Sequence, residues 1–579
     1  MPTFIGNVIG VMVRIPEASS SRLNPAQRRE HLRRMAGGSF DIVVIGGGVT
    51  GCGVALDAAT RGLSVALVEQ RDYASGTSSR SSKLLHGGLR YLEQRRFSLV
   101  REALAERNLM LNHLCPHLAS PVSFLYPLRH RVWERLYVGS GVMLYQMLAA
   151  LAHSPLPRPA HLGRRSALEM APALDERSLI GAVRYWDALV DDARHTMMLA
   201  RTAVAHGARM ATGVRATAMT FEKGRVSGIE ARDLESGGEL RIRGRKTINA
   251  TGVWSDDVQA MAGDRGLDVA ASKGIHIVVP RDRIRAESGV ILRTERSVLF
   301  VIPWGRHWIL GTTDTPWELR RAHPAASRTD IEYLLSRVNT VLADPLTTSD
   351  VVGVYAGLRP LLIGESDDTS KLSREHAVLE SDTGLISVAG GKYTTYRIMA
   401  RDAVDAAVSD FASTVPASHT EQIQLVGANG FARMMENSSQ IGLPEPERLL
   451  RRYGSEVGRL AELVRSDPSM GETLVDGAPY LRAEIDLAAR DEGAMHLDDI
   501  LTRRTRISIE TEDRGIEAAT EAAVIVAPIL GWDAPAVERE ITHYRARVDA
   551  ERDSQAQPDD STADAARMGA PDVRTGRSE

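Results

Sequence analysis

The chain has 579 residues, of which 43 % are hydrophobic and 25 % charged, with a formal net charge of -3. That length and composition build two or three globular domains, and the balanced charge argues against a broad basic footprint for nucleic acid. Its two cysteines, Cys52 and Cys115, form no CxxC, which argues against a disulfide framework or a zinc site and suits a reducing compartment.

Residues 1–39 read as an N-terminal extension, partly flexible and rich in Ser, Arg, Pro and Gly. No charged region precedes the apolar run at 8–13, so no secretory signal is expected. No stretch reaches the roughly 20 apolar residues that a membrane-spanning helix needs. The first clear strand is 40–45. A glycine turn follows, then a helix from about 49 to 61 and a strand over 63–69, a βαβ opening.

The turn reads Gly46-Gly47-Gly48-Val49-Thr50-Gly51, a G-x-G-x-x-G placed between strand and helix. Gly46, Gly48 and Gly51 allow a tight turn and a close approach of backbone N–H groups to a pyrophosphate, which then faces a helix N-terminus. Glu69 lies 23 positions after Gly46 and suits hydrogen bonds from an adenosine ribose. NAD and FAD share this turn, so the turn alone does not choose between them. No second complete G-x-G-x-x-G follows a strand.

From about 213 to 303 the pattern changes to short β-rich runs, with Ser236-Gly237-Gly238 as a hairpin connection. Residues 274–280, 298–303 and 308–313 are apolar, β-branched strands that suit a substrate-covering layer. A strand at 385–389 leads into Gly390-Gly391 and a long helix from about Thr394. Helical periodicity fills 445–550, broken at Pro468, Pro479 and Pro528, and a separate helical domain is expected over 411–552. Residues 553–579 are polar, with almost no large apolar side chains, and read as a disordered tail.

The run Ser81-Ser82-Lys83-Leu84-Leu85-His86-Gly87-Gly88-Leu89-Arg90-Tyr91-Leu92-Glu93 gathers hydroxyls, Lys, His, Arg and Tyr. It resembles the signature of bacterial FAD-dependent glycerol-3-phosphate dehydrogenases, the aerobic, quinone-linked type. Ala250-Thr251-Gly252 resembles the second dinucleotide contact of this flavoprotein superfamily, and Gly390-Gly391-Lys392-Tyr393-Thr394-Thr395-Tyr396 its closing motif. The likeness covers about 40–410 strongly and weakens toward the C-terminus. It implies an α/β fold: a Rossmann-like FAD-binding domain interleaved with a β-rich cap of the glycine-oxidase and amino-acid-oxidase type, plus a C-terminal helical domain. It also implies FAD contacts at Ser81, Ser82, Lys83, His86, Val214, Ala250, Thr251, Gly252, Lys392 and Thr394, besides the glycine turn and Glu69.

The implied substrate is sn-glycerol 3-phosphate, oxidised to dihydroxyacetone phosphate. Its phosphate needs cationic partners, and the planar fork of arginine binds two oxygens at once. Arg90, and Arg359 in Tyr355-Ala356-Gly357-Leu358-Arg359-Pro360-Leu361, match arginines of the family's active site, and Tyr91 is a further phosphate contact. His276, in Lys273-Gly274-Ile275-His276-Ile277-Val278-Val279-Pro280, is a candidate acceptor for the hydroxyl proton. His86 is the alternative acceptor. Thr312-Thr313-Asp314 and the blocks around Asp187 and Asp191-Asp192 read as shaping the pocket or the fold, and the Arg503–Arg506 cluster as a salt-bridged helix. No metal site is expected.

The resemblance further implies a quinone as electron acceptor. Between Arg129 and Arg165 a basic, apolar segment rich in aromatics suits an interfacial surface on anionic lipid. The location expected is cytoplasmic, peripheral on the inner face of the cell membrane. A homodimer is the assembly expected, although no residue pattern specifies one. An oxidase using O₂, an amine oxidase of the same superfamily and a flavin-retaining protein without turnover remain open as alternatives.

Overall fold

The computed structural model describes residues 21–574, except 89, 131–132, 153, 264–265, 295–297, 364–374, 571 and the side chain of Arg90. The chain enters through helix α1 (Pro25–Gly37). Asn24 caps it, its Oδ1 accepting from the Gln27 N–H at 2.9 Å, and Pro25 occupies the first turn, where a missing N–H costs nothing. His31 and Met35 are buried, and Arg28 pairs with Asp233 at 2.5 Å. Residues 21–39 therefore belong to the packed body, whereas the sequence reads them as an extension. Their mostly polar composition conceals these few anchors.

Strand β1 (Ser39–Ile45), helix α2 (Val49–Thr60) and strand β2 (Val65–Glu69) form the expected βαβ opening. β1 lies parallel between β2 and the strand Glu239–Asn249. Strands covered on both faces read as near-continuous apolar runs, which is why Ile42-Val43-Val44-Ile45 is legible as one. The sheet order is His376–Glu380, Leu385–Gly390, Glu239–Asn249, β1, β2, Arg209–Thr212. Helix α3 (Trp133–Leu151) packs through Tyr145 and Ala149 on Tyr91, Val100 and Leu104. Helix α4 (Asp192–Ala205) joins α2 in one hydrophobic core with Ile42, Val44 and Leu67.

A second, mostly antiparallel sheet is the expected covering layer. Its strand β3 (Val269–Pro280) pairs with β4 (Gly353–Leu362) on one side and with His307–Gly311 on the other. The chain returns through Leu385–Gly390 to helix α5 (Tyr396–Val408), which closes the α2 and α4 layer.

The C-terminal region is helical from Phe431 onward, with its own core around Ile485, Leu501, Ala522 and Val526. Pro528 does not break it. It lies in the last turn of the helix Ile516–Leu530, and Gly531, left-handed at φ 71°, ends that helix. The disordered-tail expectation is corrected as far as residue 574. Helix α6 (Ala534–Ala556) runs past 552, and helix α7 (Asp560–Arg567) follows. This segment packs through charge and small residues instead of large apolar ones. Asp560 pairs with the buried Lys273, Asp564 with Arg320, and Arg574 with Asp499 at 2.9 Å, while Ala563 is fully buried. Among the described residues no helix is long and apolar enough to cross a membrane. Residues 1–20 and 575–579 lie outside the described residues.

Candidate active site

β1 is followed by Gly46, whose φ of 111° suits only glycine without strain. A Cβ on Gly46 would stand 2.7 Å from the Ala250 carbonyl oxygen, and one on Gly51 would overlap the Gly46 carbonyl oxygen. The turn is therefore as tight as its spacing predicts. Glu69 ends β2, its Oε2 accepting from the Gly47 N–H at 2.7 Å and its Oε1 from the Arg71 N–H at 2.8 Å. A cavity of about 460 Å³ opens on this turn, against Gly46, Gly48, Glu69, Val214, Ala250, Thr251 and Gly252. The same cavity is lined by Ser81, Ser82, His86, Tyr91, His276, Arg359, Lys392 and Thr394. The fold thus gathers into one space residues that the sequence scatters over more than three hundred positions.

The β3–β4 ladder sets the chemistry of one wall. Its register pairs Ser272 with Arg359, Gly274 with Gly357 and His276 with Tyr355, so these side chains share one face. A Cβ on Gly274 would collide with the Arg359 guanidinium, and one on Gly311 would collide with the His276 ring. Both glycines clear the space that the two functional groups occupy. Arg359 donates from Nη1 to the Thr313 carbonyl at 3.2 Å and from Nη2 to Thr312 Oγ1 at 3.0 Å, and it lies 3.5 Å from Asp314.

His276 Nε2 lies 2.9 Å from Ser82 Oγ. Its ring stacks on Tyr355 with centroids 4.7 Å apart, and the Tyr355 hydroxyl donates to the Ser81 carbonyl at 3.0 Å. His276 Nδ1 is buried without a hydrogen-bond partner. Burial first, then the positive charges of Arg359 and Lys83, hold the imidazole well below its ordinary range. It is therefore neutral near pH 7, with a lone pair to offer a proton.

The loop carrying His86 is fixed from beneath. Gly87 N–H donates to the Tyr145 hydroxyl at 2.7 Å, which donates to Asp187 Oδ1 at 2.8 Å, and Asp187 pairs with Arg107 at 2.6 Å. Burial pushes Asp187 up to about 6 despite Arg107. Lys392 Nζ donates to the Gly87 carbonyl at 3.2 Å and sits 3.8 Å from the centre of the Tyr91 ring. The His86 N–H donates to Thr394 Oγ1 at 3.2 Å. Arg90 opens the short helix Arg90–Glu93, and its side chain, to which the phosphate role was assigned, lies outside the described residues.

Lys83 departs from its expected place at the cofactor. It does not line the cavity; it is fully buried, its Nζ on Asp192 Oδ1 at 3.0 Å and on the Ser79 carbonyl at 3.2 Å. A buried ammonium needs a carboxylate, and Asp192 supplies it. Asp192 also takes Arg506 at 2.5 Å, while Arg503 and Arg504 share Asp72, so the Arg503–Arg506 cluster is ion-paired as read. Gly51 packs behind the turn, with its role in the turn's shape. Sequence reasoning assigned no role to Tyr145 or Tyr355, and to Thr312 and Thr313 only that of shaping the pocket or the fold. Only the pairing of distant strands and helices reveals what these residues support.

Glycerol-3-phosphate dehydrogenase 2 of Mycobacterium tuberculosis (strain ATCC 25618 / H37Rv) is 54 % identical over 562 residues, covering 96 % of each chain. Residues 41–397 match the family described as FAD dependent oxidoreductase. The chain belongs to the FAD-dependent glycerol-3-phosphate dehydrogenase family. Residues 418–537 of this family member match the C-terminal domain of alpha-glycerophosphate oxidase. The glycerol-3-phosphate dehydrogenase of Mycobacterium leprae (strain TN) is 52 % identical, covering 97 % of this chain and 98 % of its own. The solved glycerol-3-phosphate dehydrogenase from Bacillus halodurans, complexed with FAD, superposes with a TM-score of 0.74 at 28 % identity, covering 91 % of this chain and 97 % of its own. The family cofactor is FAD, and the cavity fits it. The glycine turn and Glu69 suit its dinucleotide end, and the cavity continues past them to His276 and Arg359.

Proposed function

We propose that this family member oxidises sn-glycerol 3-phosphate to dihydroxyacetone phosphate and passes the electrons to a membrane quinone. The observation that carries the reading is the placement of Arg359 and His276 on one sheet face, within the cavity that begins at the dinucleotide turn. FAD, when bound, supplies the two-electron acceptance that takes the C2 hydride.

The protein's own residues do the rest. Thr312 and Thr313 hold the Arg359 fork toward the cavity, where it receives phosphate oxygens, with Arg90 and Tyr91 as further phosphate partners. Each charge-assisted hydrogen bond contributes about 1.5–3 kcal/mol. His276 accepts the C2 hydroxyl proton at Nε2, where the substrate hydroxyl takes the place of Ser82 Oγ. His86, on the same cavity, is the alternative acceptor. Lys392 and Thr394, just before α5, would border bound flavin, and the partial positive charge at the α5 N-terminus would favour its reduced form.

The membrane part of the reading is supported by α3. It presents Trp133, Leu136, Tyr137, Met143, Met147 and Leu151 as exposed side chains at helical spacing. Such a face suits peripheral binding to the inner leaflet, with aromatics at the headgroup level. Replacing Leu136 and Met147 by Asp should abolish co-sedimentation with anionic liposomes, and unchanged binding would sink this part. The match to the C-terminal domain of alpha-glycerophosphate oxidase favours a second reading, in which O₂ is the acceptor. Holoenzyme supplied with sn-glycerol 3-phosphate and a soluble quinone analogue should yield dihydroxyacetone phosphate with little peroxide. Stoichiometric peroxide in air, with no gain from quinone, would establish the oxidase instead.

A further inference from the structure

A second cavity, of about 70 Å³, lies where the C-terminal helices meet the loop after β2. Ser79 and Arg80 line it from the flavin-binding side, Tyr355 from β4 of the covering sheet, and Arg503, Arg547 and Arg567 from the C-terminal side. Its one lining carboxylate among the described residues is Glu551.

The charges on its wall do not balance. Arg503 is ion-paired with Asp72, Asp498 and Asp499, Arg506 with Asp191 and Asp192, and Arg547 with Asp498 and Glu551. Arg80 and Arg567 have no carboxylate partner within ion-pair distance among the described residues. Arg567 is only 5 % exposed, and its Nη1 has no hydrogen-bond partner. Arg506 Nε and His323 Nδ1, on the same wall, are also unpartnered. Guanidinium groups do not escape this by deprotonation, and a buried cation without a counter-charge is costly.

We propose that this cavity is a binding site for a small tetrahedral oxyanion, of the phosphate or sulfate class, held between Arg567 of α7 and Arg80. The space suits a free inorganic ion better than a phosphate ester with a carbon tail. It is far larger than the roughly 10–15 Å³ that one water requires. Burial first, then neighbouring arginines, push Arg80 down to about 9, and burial with Arg547 brings Arg567 to about 10 against the opposing pull of Glu551, Asp498 and Asp572. The anion fastens α7 to the flavin-binding side of the molecule. It also touches the catalytic wall indirectly, because Arg80 lines both cavities and Tyr355 stacks on His276.

The test uses the full-length, FAD-loaded protein and labelled inorganic phosphate in equilibrium dialysis. The wild type should hold one phosphate that excess sn-glycerol 3-phosphate does not displace. Arg567→Gln should lose that site, and Arg567→Lys should keep it at lower affinity. Phosphate should raise the Tm of the wild type and not that of Arg567→Gln. Where Arg567→Gln fails to fold, wild-type crystals soaked in arsenate give the same answer, with an anomalous peak expected between Arg80 and Arg567. Binding and a Tm rise that survive Arg567→Gln, or soaked crystals without that peak, overturn the proposal. The outcome is independent of the substrate assigned above, because a site removed by Arg567→Gln is counted whether or not sn-glycerol 3-phosphate is oxidised.

Discussion

His276 and Tyr355 face each other across the β3–β4 ladder, their rings stacked 4.7 Å apart at an interplanar angle of 11°. Tyr355 is in turn tied to the Ser81 carbonyl, so the imidazole is held flat against a support anchored to the loop that carries Ser82. Under the proposed mechanism the ring would therefore keep its orientation when Nε2 exchanges Ser82 for the substrate hydroxyl. His276→Gln should lower the rate of flavin reduction by roughly 10²–10⁴, the usual value of a positioned acid–base group, with FAD retained. His86→Gln should cost much less. Stopped-flow reduction of the two variants checks this, and the reverse order would make His86 the proton acceptor.

Arg359→Lys should raise KM by roughly 10- to 150-fold, the loss of one charge-assisted hydrogen bond of about 1.5–3 kcal/mol, and leave the flavin spectrum unchanged. Thr312 and Thr313 together orient a fork, and a lysine gives them one point charge instead. Steady-state kinetics on the FAD-loaded variant decide it. Unchanged kinetics, or loss of flavin, would contradict the role given to Arg359.

Gly51→Ala should yield protein without flavin. A Cβ there overlaps the Gly46 carbonyl oxygen, a backbone atom that a rotamer change cannot clear. The flavin-to-protein absorbance ratio after purification is the measurement, and a fully loaded variant would show that the turn is looser than its geometry.

Stability should fall on both sides of about pH 6.5. Burial lowers His31 to about 4 and His117 and His195 to about 3. These rings are neutral when folded and take up protons on unfolding below their ordinary value near 6.5. Each therefore withdraws about 1.4 kcal/mol per pH unit between 6.5 and its folded value. His496 acts in the opposite sense. Despite its burial, the carboxylates of Glu235 and Glu540, at 3.1 and 2.8 Å, raise it to about 10. Its contribution is complete below pH 6.5 and is lost as pH rises toward 10. Urea midpoints across pH 4–10 test the shape. A midpoint that keeps rising below pH 6 would contradict the burial of these histidines in neutral form.

The parts of the fold that local pattern encodes were legible. β1 is a continuous apolar run because its strand is covered on both faces, and the G-x-G-x-x-G turn and Glu69 follow at fixed spacing. Long-range pairing was not legible. Nothing near Arg359 in sequence says that β4 will set it opposite Ser272, beside the space left by Gly274. Lys83 looked like a cofactor ligand because it sits in a functional run. Its burial depends on Asp192, more than a hundred positions away. The segment beyond 552 read as disordered because its anchors are ion pairs and one alanine, which composition does not distinguish from a solvated tail.

The proposed mechanism puts flavin, phosphate recognition and a proton acceptor in one cavity. Anaerobic titration of the yellow, FAD-loaded protein with sn-glycerol 3-phosphate tests it most directly, by following the visible flavin absorbance. Bleaching is expected with sn-glycerol 3-phosphate, and none with glycerol at the same concentration. Flavin that stays oxidised under sn-glycerol 3-phosphate, or that glycerol bleaches equally well, would contradict it.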